Sequence, residues 1–343
     1  MPRKTAELDP MQRGNVIHHV LEKLLMNYES EVLVAMTRAE LLDIISSLMN
    51  EYLMAKLDGS QRDERFLYLY HKLALSVCDV AERLIKELAL SDFKPVDFEL
   101  SIGSDGEIPP YEVITEKGKI SISGAIDRVD KAVINGKTYL RVVDYKSSGK
   151  AFKLSDVLQG LNMQMFIYLF ALWQNGKKKY GEITPAGVLY YPANSPLVSA
   201  ERGESEEDVS VKKQKRCRMQ GIVLNDCDVV VAMDKSAGGL YIPVDFDAKG
   251  AMKGSLIRLS QLEKLKEKAD EILIEMADSL HGGKIEAVPA YGASYKHVCQ
   301  YCDYKSVCSY EEDISVKELY DTDLDEALRN LEEGDDEDVN TLD

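Results

Sequence analysis

Two short segments combine carboxylates with a lysine in strand-like surroundings. Gly124-Ala-Ile-Asp-Arg-Val-Asp130 contains Asp127, and Val142-Val-Asp-Tyr-Lys146 contains Asp144 and Lys146. Residues i and i+2 of a strand share a face, so Asp144 and Lys146 point the same way. The link between the segments contains Asn135-Gly136, a hairpin-turn signal. Pairing the two strands would bring Asp127 alongside. Two carboxylates suit a hard cation such as Mg²⁺ or Mn²⁺, and a lysine beside them can orient a water and offset negative charge. Phosphodiester hydrolysis needs that equipment. A single Asp-x-Lys is weak evidence. The apolar Ile126, Val142 and Val143 next to these charges place them at the edge of a core rather than on an open surface.

The elements that must hold these residues follow from periodicity. The first 92 residues read as helical: a stripe from Gly14 to Tyr28, then helices near Glu40–Leu53 and Arg65–Leu90, closed by Phe93-Lys-Pro95. Alternation then predicts strands at Phe98–Ile102, Lys119–Asp127 and Thr138–Asp144. Ser155 is placed to cap a buried helix over Asp156–Trp173. Strands are expected at Gly187–Tyr191, Val229–Met233 and Leu240–Val244. An amphipathic helix over Leu259–Leu280 is capped by Gly282-Gly283. The fold class is α/β (α+β): a mixed central sheet flanked by helices, with an N-terminal helical region. We divide the chain into a helical part (1–92), a core with a Cys-rich end (93–310) and an acidic tail (311–343).

Composition narrows the function classes. The 343 residues are 45% hydrophobic and 29% charged, which is globular composition. No apolar run approaches the length of a membrane span, and no apolar leader stands at the N-terminus. Six Cys, three of them crowded near the end, fit a cytoplasmic protein with a metal site. The formal net charge of -17 argues at first against a nucleic-acid partner. However, residues 311–343 hold 15 acidic and 2 basic side chains, so the rest is near balance. Such a tail is expected to stay solvated. Lys212, Lys213, Lys215, Arg216 and Arg218 form a basic run suited to phosphate contact. No Gly-x4-Gly-Lys-Ser/Thr loop is present, so no ATPase of that kind lies in this chain.

Several motifs in order carry a resemblance: Gly14-Asn-Val-Ile-His18, Gly124-x-Ile-Asp127-Arg-Val-Asp, Asp144-Tyr-Lys146, Gly160-Leu-Asn-Met-Gln164-x3-Tyr168, Pro185-Ala-Gly-Val-Leu-Tyr190 and Arg216-Cys-Arg-Met219. Together with the terminal Cys cluster, they make roughly residues 10–310 resemble RecB-family nucleases of the PD-(D/E)xK superfamily. Within that family the match is closest to the C-terminal nuclease domain of the B subunit of AddAB-type ATP-dependent helicase–deoxyribonucleases. The resemblance implies a Mg²⁺- or Mn²⁺-dependent exonuclease domain acting on single-stranded DNA ends, on the 5′-ended strand, in double-strand-break repair. It would work beside the A subunit of a helicase–nuclease. His18, Asp127, Asp144 and the Tyr145 carbonyl would hold the metal, and Lys146 would position the attacking water. Gln164 and Tyr168, one helical turn apart, would border the site, with Glu22 and Glu99 at most supporting it. Cys299, Cys302 and Cys308 match three of the four ligands of a 4Fe-4S cluster, and the fourth has no counterpart before Gly14. That gap, with the missing ATPase, suggests a fragment of a longer subunit. The alternatives are a stand-alone CRISPR-associated RecB-like nuclease and a non-catalytic DNA-binding or assembly module.

Overall fold

The computed structural model describes residues 10–56, 64–147, 152–196, 198–200, 202–236, 239–292, 299, 302–308 and 316–339, with side chains in the last helix described to 332. Four helices open the chain: α1 (Pro10–Asn27), α2 (Ser30–Ala35), α3 (Arg38–Lys56) and α4 (Glu64–Ala89). In α1 the apolar stripe buries Val16, Ile17, Val20, Leu21 and Leu24, as its spacing predicts. Next come β1 (Lys94–Ile102), β2 (Tyr111–Thr115), β3 (Gly118–Ile122), β4 (Gly124–Ile134) and β5 (Lys137–Lys146). The β4–β5 hairpin turns at Asn135 and Gly136, both in the left-handed region (φ 51° and 77°). A mirror-image hairpin turn needs this conformation.

The helix expected over Asp156–Trp173 is two helices, α5 (Leu154–Leu158) and α6 (Gln164–Asn175). The break falls at Gly160 and Asn162, whose φ values of 84° and 53° cannot continue a right-handed helix. The Asn162 side chain donates to Asp156 and fixes the bend. Ser155 therefore lies inside α5, and Lys153 occupies the cap. Then follow α7 (Lys177–Tyr180), β6 (Ile183–Pro192), α8 (Glu206–Arg216), β7 (Gln220–Leu224) and α9 (Cys227–Met233). Val229–Met233, expected as a strand, is thus helical, because the Asp226 carboxylate caps the N–H groups of Asp228 and Val229. Leu240–Pro243 precedes the short β8 (Val244–Phe246), which pairs with β9 (Met252–Gly254). The remaining elements are β10 (Leu256–Ile257), α10 (Leu259–His281), β11 (Ala290–Tyr291), α11 (Lys305–Cys308), β12 (Lys317–Glu318) and α12 (Leu324–Val339).

One six-stranded mixed sheet, in the order β1-β4-β5-β6-β7-β10, organises these elements. Only β5–β6 and β7–β10 are parallel pairs within it. The β5–β6 crossover runs through α5, α6 and α7. One apolar cluster packs α1–α4 and α9 on one face of the sheet. A second packs α5, α6, α10, the β2–β3 hairpin and α12 on the other. The described part of the 311–343 segment packs in places on the fold rather than staying solvated throughout. Ala327 and Leu328 of α12 are buried, Arg258 pairs with Glu332, and Gln159 exchanges hydrogen bonds with the Tyr320 main chain.

Candidate metal centre and its lysine

Antiparallel pairing of β1, β4 and β5 sets Glu99, Asp127 and Asp144 in one row across three strands. The β1–β4 ladder pairs Phe98 with Arg128 and Leu100 with Ile126, skipping Glu99 and Asp127 between them. The β4–β5 ladder begins only at Arg128–Val143. Asp127 thus stands at a fork. Ile126 and Val129, three residues apart, enter the same apolar cluster, so strand alternation slips at this point. Glu99 adopts a left-handed φ of 46° in β1, an uncommon conformation for a residue with a Cβ. The Asp127 carboxylate bridges the fork by accepting the Tyr145 N–H at 2.9 Å.

His18 reaches this row from α1. Its Nε2 lies 2.8 Å from the Tyr145 carbonyl oxygen and its Nδ1 3.4 Å from Asp127 Oδ2. Gly14, one turn earlier, brings the start of α1 to the hydroxyl of Ser147, just past Lys146. Ligand atoms of His18, Glu99 and Asp127 lie within 4.8 Å of one another, the one such group among the described residues. Sequence reasoning ranks Glu99 below Asp144. The structure puts Glu99 in the group, and Asp144 stands beside it in the strand row. The available signal is register, since pairing 98–102 with 124–128 sets Glu99 opposite Asp127.

Asp144 and Lys146 share a face as expected. Lys146 Nζ lies 2.8 Å from Asp144 Oδ2 and over the Tyr190 ring at 5.8 Å. At 2.8 Å the ammonium and the carboxylate are within charge-assisted hydrogen-bonding distance. The main chain after Lys146 is anchored: Ala193 donates to the Lys146 carbonyl and Asn194 to that of Ser147. Arg83 of α4 holds the carbonyls of Pro192 and Asn194. Burial, and then the charge of Asp127, push the Asp144 carboxyl above the ordinary carboxylate range, against the pull of Lys146. Glu99 is raised for the same two reasons, burial first. Crowded carboxylates that resist ionisation form a site short of positive charge. Its oxygen donors plus one imidazole fit a hard divalent cation.

Gln164 and Tyr168 are joined to each other, Gln164 Nε2 donating to the Tyr168 hydroxyl at 2.9 Å. That hydroxyl fills the space a Cβ on Gly124 would need, 2.1 Å from its ideal position. The pair therefore sits at the start of β4, three residues and about 10 Å along the strand from Asp127. Lys212, Lys213, Lys215 and Arg216 lie exposed on α8, where acidic residues occupy the first turn and cations the last, and Lys212 pairs with Glu204. Arg218 is committed elsewhere: it holds the carbonyls of Ile242 and Val244 and pairs with Asp245. Cys302 and Cys308 are exposed and Cys299 half-buried. Their sulfurs form no group with atoms mutually within 4.8 Å.

A chain with this sheet and this strand-fork site matches the PD-(D/E)XK nuclease superfamily over residues 1–309, and it belongs to that superfamily. Its relatives include the B subunit of the ATP-dependent helicase/deoxyribonuclease of Acetivibrio thermocellus, 30% identical over 94% of this chain. The like-named proteins of Thermoanaerobacter sp. (strain X514) and Clostridium novyi are 28% and 33% identical over 90% and 77% of it. The chain spans only 28%, 29% and 24% of the length of the Thermoanaerobacter, Acetivibrio and Clostridium proteins. No helix among the described residues is long and apolar enough to cross a membrane.

Proposed function

We propose that this chain is a divalent-metal-dependent deoxyribonuclease domain that hydrolyses single-stranded DNA from an end, degrading the 5′-ended strand that a helicase delivers. The observation that carries this reading is the gathering of His18, Glu99 and Asp127 at the β4–β5 fork, one strand from the Asp144–Lys146 pair. His18, Glu99, Asp127, Asp144 and the Tyr145 carbonyl would hold Mg²⁺ or Mn²⁺. When bound, the cation supplies Lewis acidity toward the phosphate and lowers the pKa of a water. Lys146, 44% exposed and tethered by Asp144, is the group free to orient that water and offset charge at phosphorus. Gln164 at the exposed start of α6, and Lys212, Lys213, Lys215 and Arg216 on α8, would contact the strand. Arg218 is left out because its donors are used within the fold.

The name that the relatives bear, helicase/deoxyribonuclease, supports DNA as substrate and a helicase partner, and a place in double-strand-break repair is our extension of that reading. Three thiols supply fewer ligands than a four-iron cluster takes, and the reading does not require one. The test is cleavage of single-stranded DNA labelled at either end, with Mg²⁺ or Mn²⁺, against EDTA and Asp144→Asn. Metal-dependent cleavage lost in the variant supports the reading. DNA binding without cleavage under every metal condition overturns it.

A further inference from the structure

Tyr145 is the junction of the candidate site. Its N–H donates to Asp127 and its carbonyl meets His18 Nε2, so two site residues take their place from one peptide segment. Its side chain runs into the core, with the ring edge-on against that of His18 at 5.6 Å, and the residue is 3% exposed. The hydroxyl accepts from Arg128 Nη1 at 3.1 Å, and the ring packs edge-on against Tyr191. Arg128 in turn is clamped by Asp130, which also binds Arg141 at 2.8 Å. Arg141 reaches Glu87 of α4 at 2.6 Å. None of these four charged residues is more than 1% exposed, and two cations balance two anions.

Such a network is a poor way to gain stability, because desolvating four charges offsets most of their attraction, and well-packed apolar residues do as well. What it does provide is direction. The Arg128 guanidinium, held by Asp130 and with Glu87 3.8 Å away, has a fixed orientation, and the Tyr145 hydroxyl takes its place from it.

We propose that the Arg128–Tyr145 tether is a positioning device: it fixes the main chain of Tyr145 and thereby presents His18, Asp127 and the Tyr145 carbonyl in the geometry a divalent cation requires. This rests on the metal-dependent reading above and adds a role for side chains that never touch the cation. Outer groups that orient metal ligands typically contribute about 10- to 100-fold to affinity.

Manganese binding to the whole chain, followed by electron paramagnetic resonance and calorimetry, tests it without relying on activity. Tyr145→Phe removes the tether and leaves every proposed ligand chemically intact. Tyr191→Phe is the control. It also loses a buried hydroxyl, which donates to the Val80 carbonyl at 3.2 Å, and it packs on the same ring. Tyr145→Phe should bind Mn²⁺ about tenfold more weakly, while Tyr191→Phe binds as the wild type does. Arg128→Lys keeps the charge but cannot serve Asp130 and Tyr145 together, and it should repeat the weakening if Tyr145→Phe does not fold. Wild-type affinity in a folded Tyr145→Phe or Arg128→Lys, or equal weakening in Tyr191→Phe, overturns the proposal. No Mn²⁺ binding by the wild type would instead sink the metal-dependent reading itself, and this inference with it.

Discussion

Neutralising Glu99 should stabilise the cation-free protein, and the gain should depend on both pH and metal. Glu99 and Asp127 present oxygens within 4.8 Å of each other. Two unit charges at that distance repel by about 0.9 kcal/mol in water and about 3.5 kcal/mol at an effective dielectric of 20. The Glu99 carboxyl is partly desolvated, but much of the residue's surface is open to solvent, so screening leaves roughly 1–2 kcal/mol. At about 2 °C per kcal/mol for a chain of this size, Glu99→Gln should raise the thermal midpoint by about 2–4 °C in EDTA at pH 8. The sign follows from linkage. The folded-state pKa of Glu99 is raised above its ordinary 4.5. The native state therefore binds more protons than the unfolded one, and the wild type loses stability as pH rises through that interval. The advantage of Gln should thus be absent near pH 4 and grow to a plateau. With Mn²⁺ at about 100 times its Kd the wild type gains about 2.7 kcal/mol. A variant binding about tenfold more weakly gains about 1.4 kcal/mol, so the difference should close. Differential scanning fluorimetry across pH, with EDTA or Mn²⁺, reads all of this. An unchanged or lower midpoint for Glu99→Gln in EDTA at pH 8, or a gain indifferent to pH and to Mn²⁺, would refute the reasoning.

The other predictions concern the frame around the site. Gly124→Ala would drive a Cβ into the Tyr168 ring and hydroxyl, and overpacking of this kind should cost about 1–3 kcal/mol by urea unfolding. Adding Tyr168→Phe should recover only part, since two ring carbons remain within 3 Å of that Cβ. Arg141→Leu leaves Asp130 and Glu87 sharing Arg128 alone, two buried anions against one cation, and should cost about 3–5 kcal/mol, more than the double variant Arg141→Leu/Glu87→Leu, which restores charge balance. Ending the chain at 315 removes Ala327 and Leu328 from the second apolar cluster. The truncated protein should melt lower while its Mn²⁺ affinity stays unchanged, because α12 packs on the face of the sheet opposite α1, which carries His18.

The strand pair bearing Asp127, Asp144 and Lys146 was legible because alternation, a two-residue turn and flanking apolar residues are local signals, and all three agree. Glu99 was legible only as a supporting group at most, since one glutamate in an alternating strand reads as solvent-facing. Its place beside Asp127 appears only when register sets the two across from each other, and its left-handed φ depends on tertiary context. Val229–Met233 misled for a related reason: a β-branched run resembles a strand, but an aspartate cap decides for helix. The break between α5 and α6 turns on two positive-φ residues within a run whose apolar pattern continues across it. The four-charge network was invisible from sequence, where Arg128, Asp130 and Arg141 look like the polar faces of two strands.

Location of charge decides how the acid excess of the chain should act on DNA. The carboxylates of Glu99, Asp127 and Asp144, with Glu22 raising Glu99 further, create a local negative field at the place a phosphate would have to approach. Without a cation that field opposes a phosphodiester, and Lys146, already paired with Asp144, compensates only in part. With a divalent ion held by these acids the balance would reverse, and Lys146 would be released to face the substrate. Metal and DNA affinity should therefore be coupled: raising Mn²⁺ tightens DNA binding to the wild type, and bound DNA tightens Mn²⁺ by the same factor, as linkage requires. In Asp144→Asn the site repels less before the ion arrives, so the metal-free protein should bind a single strand more tightly than the wild type and respond less to Mn²⁺. Fluorescence anisotropy with a labelled oligonucleotide, in EDTA and across a Mn²⁺ titration, compares the two directly. Equal affinity of both proteins for DNA in EDTA would show that the site carboxylates do not govern strand entry.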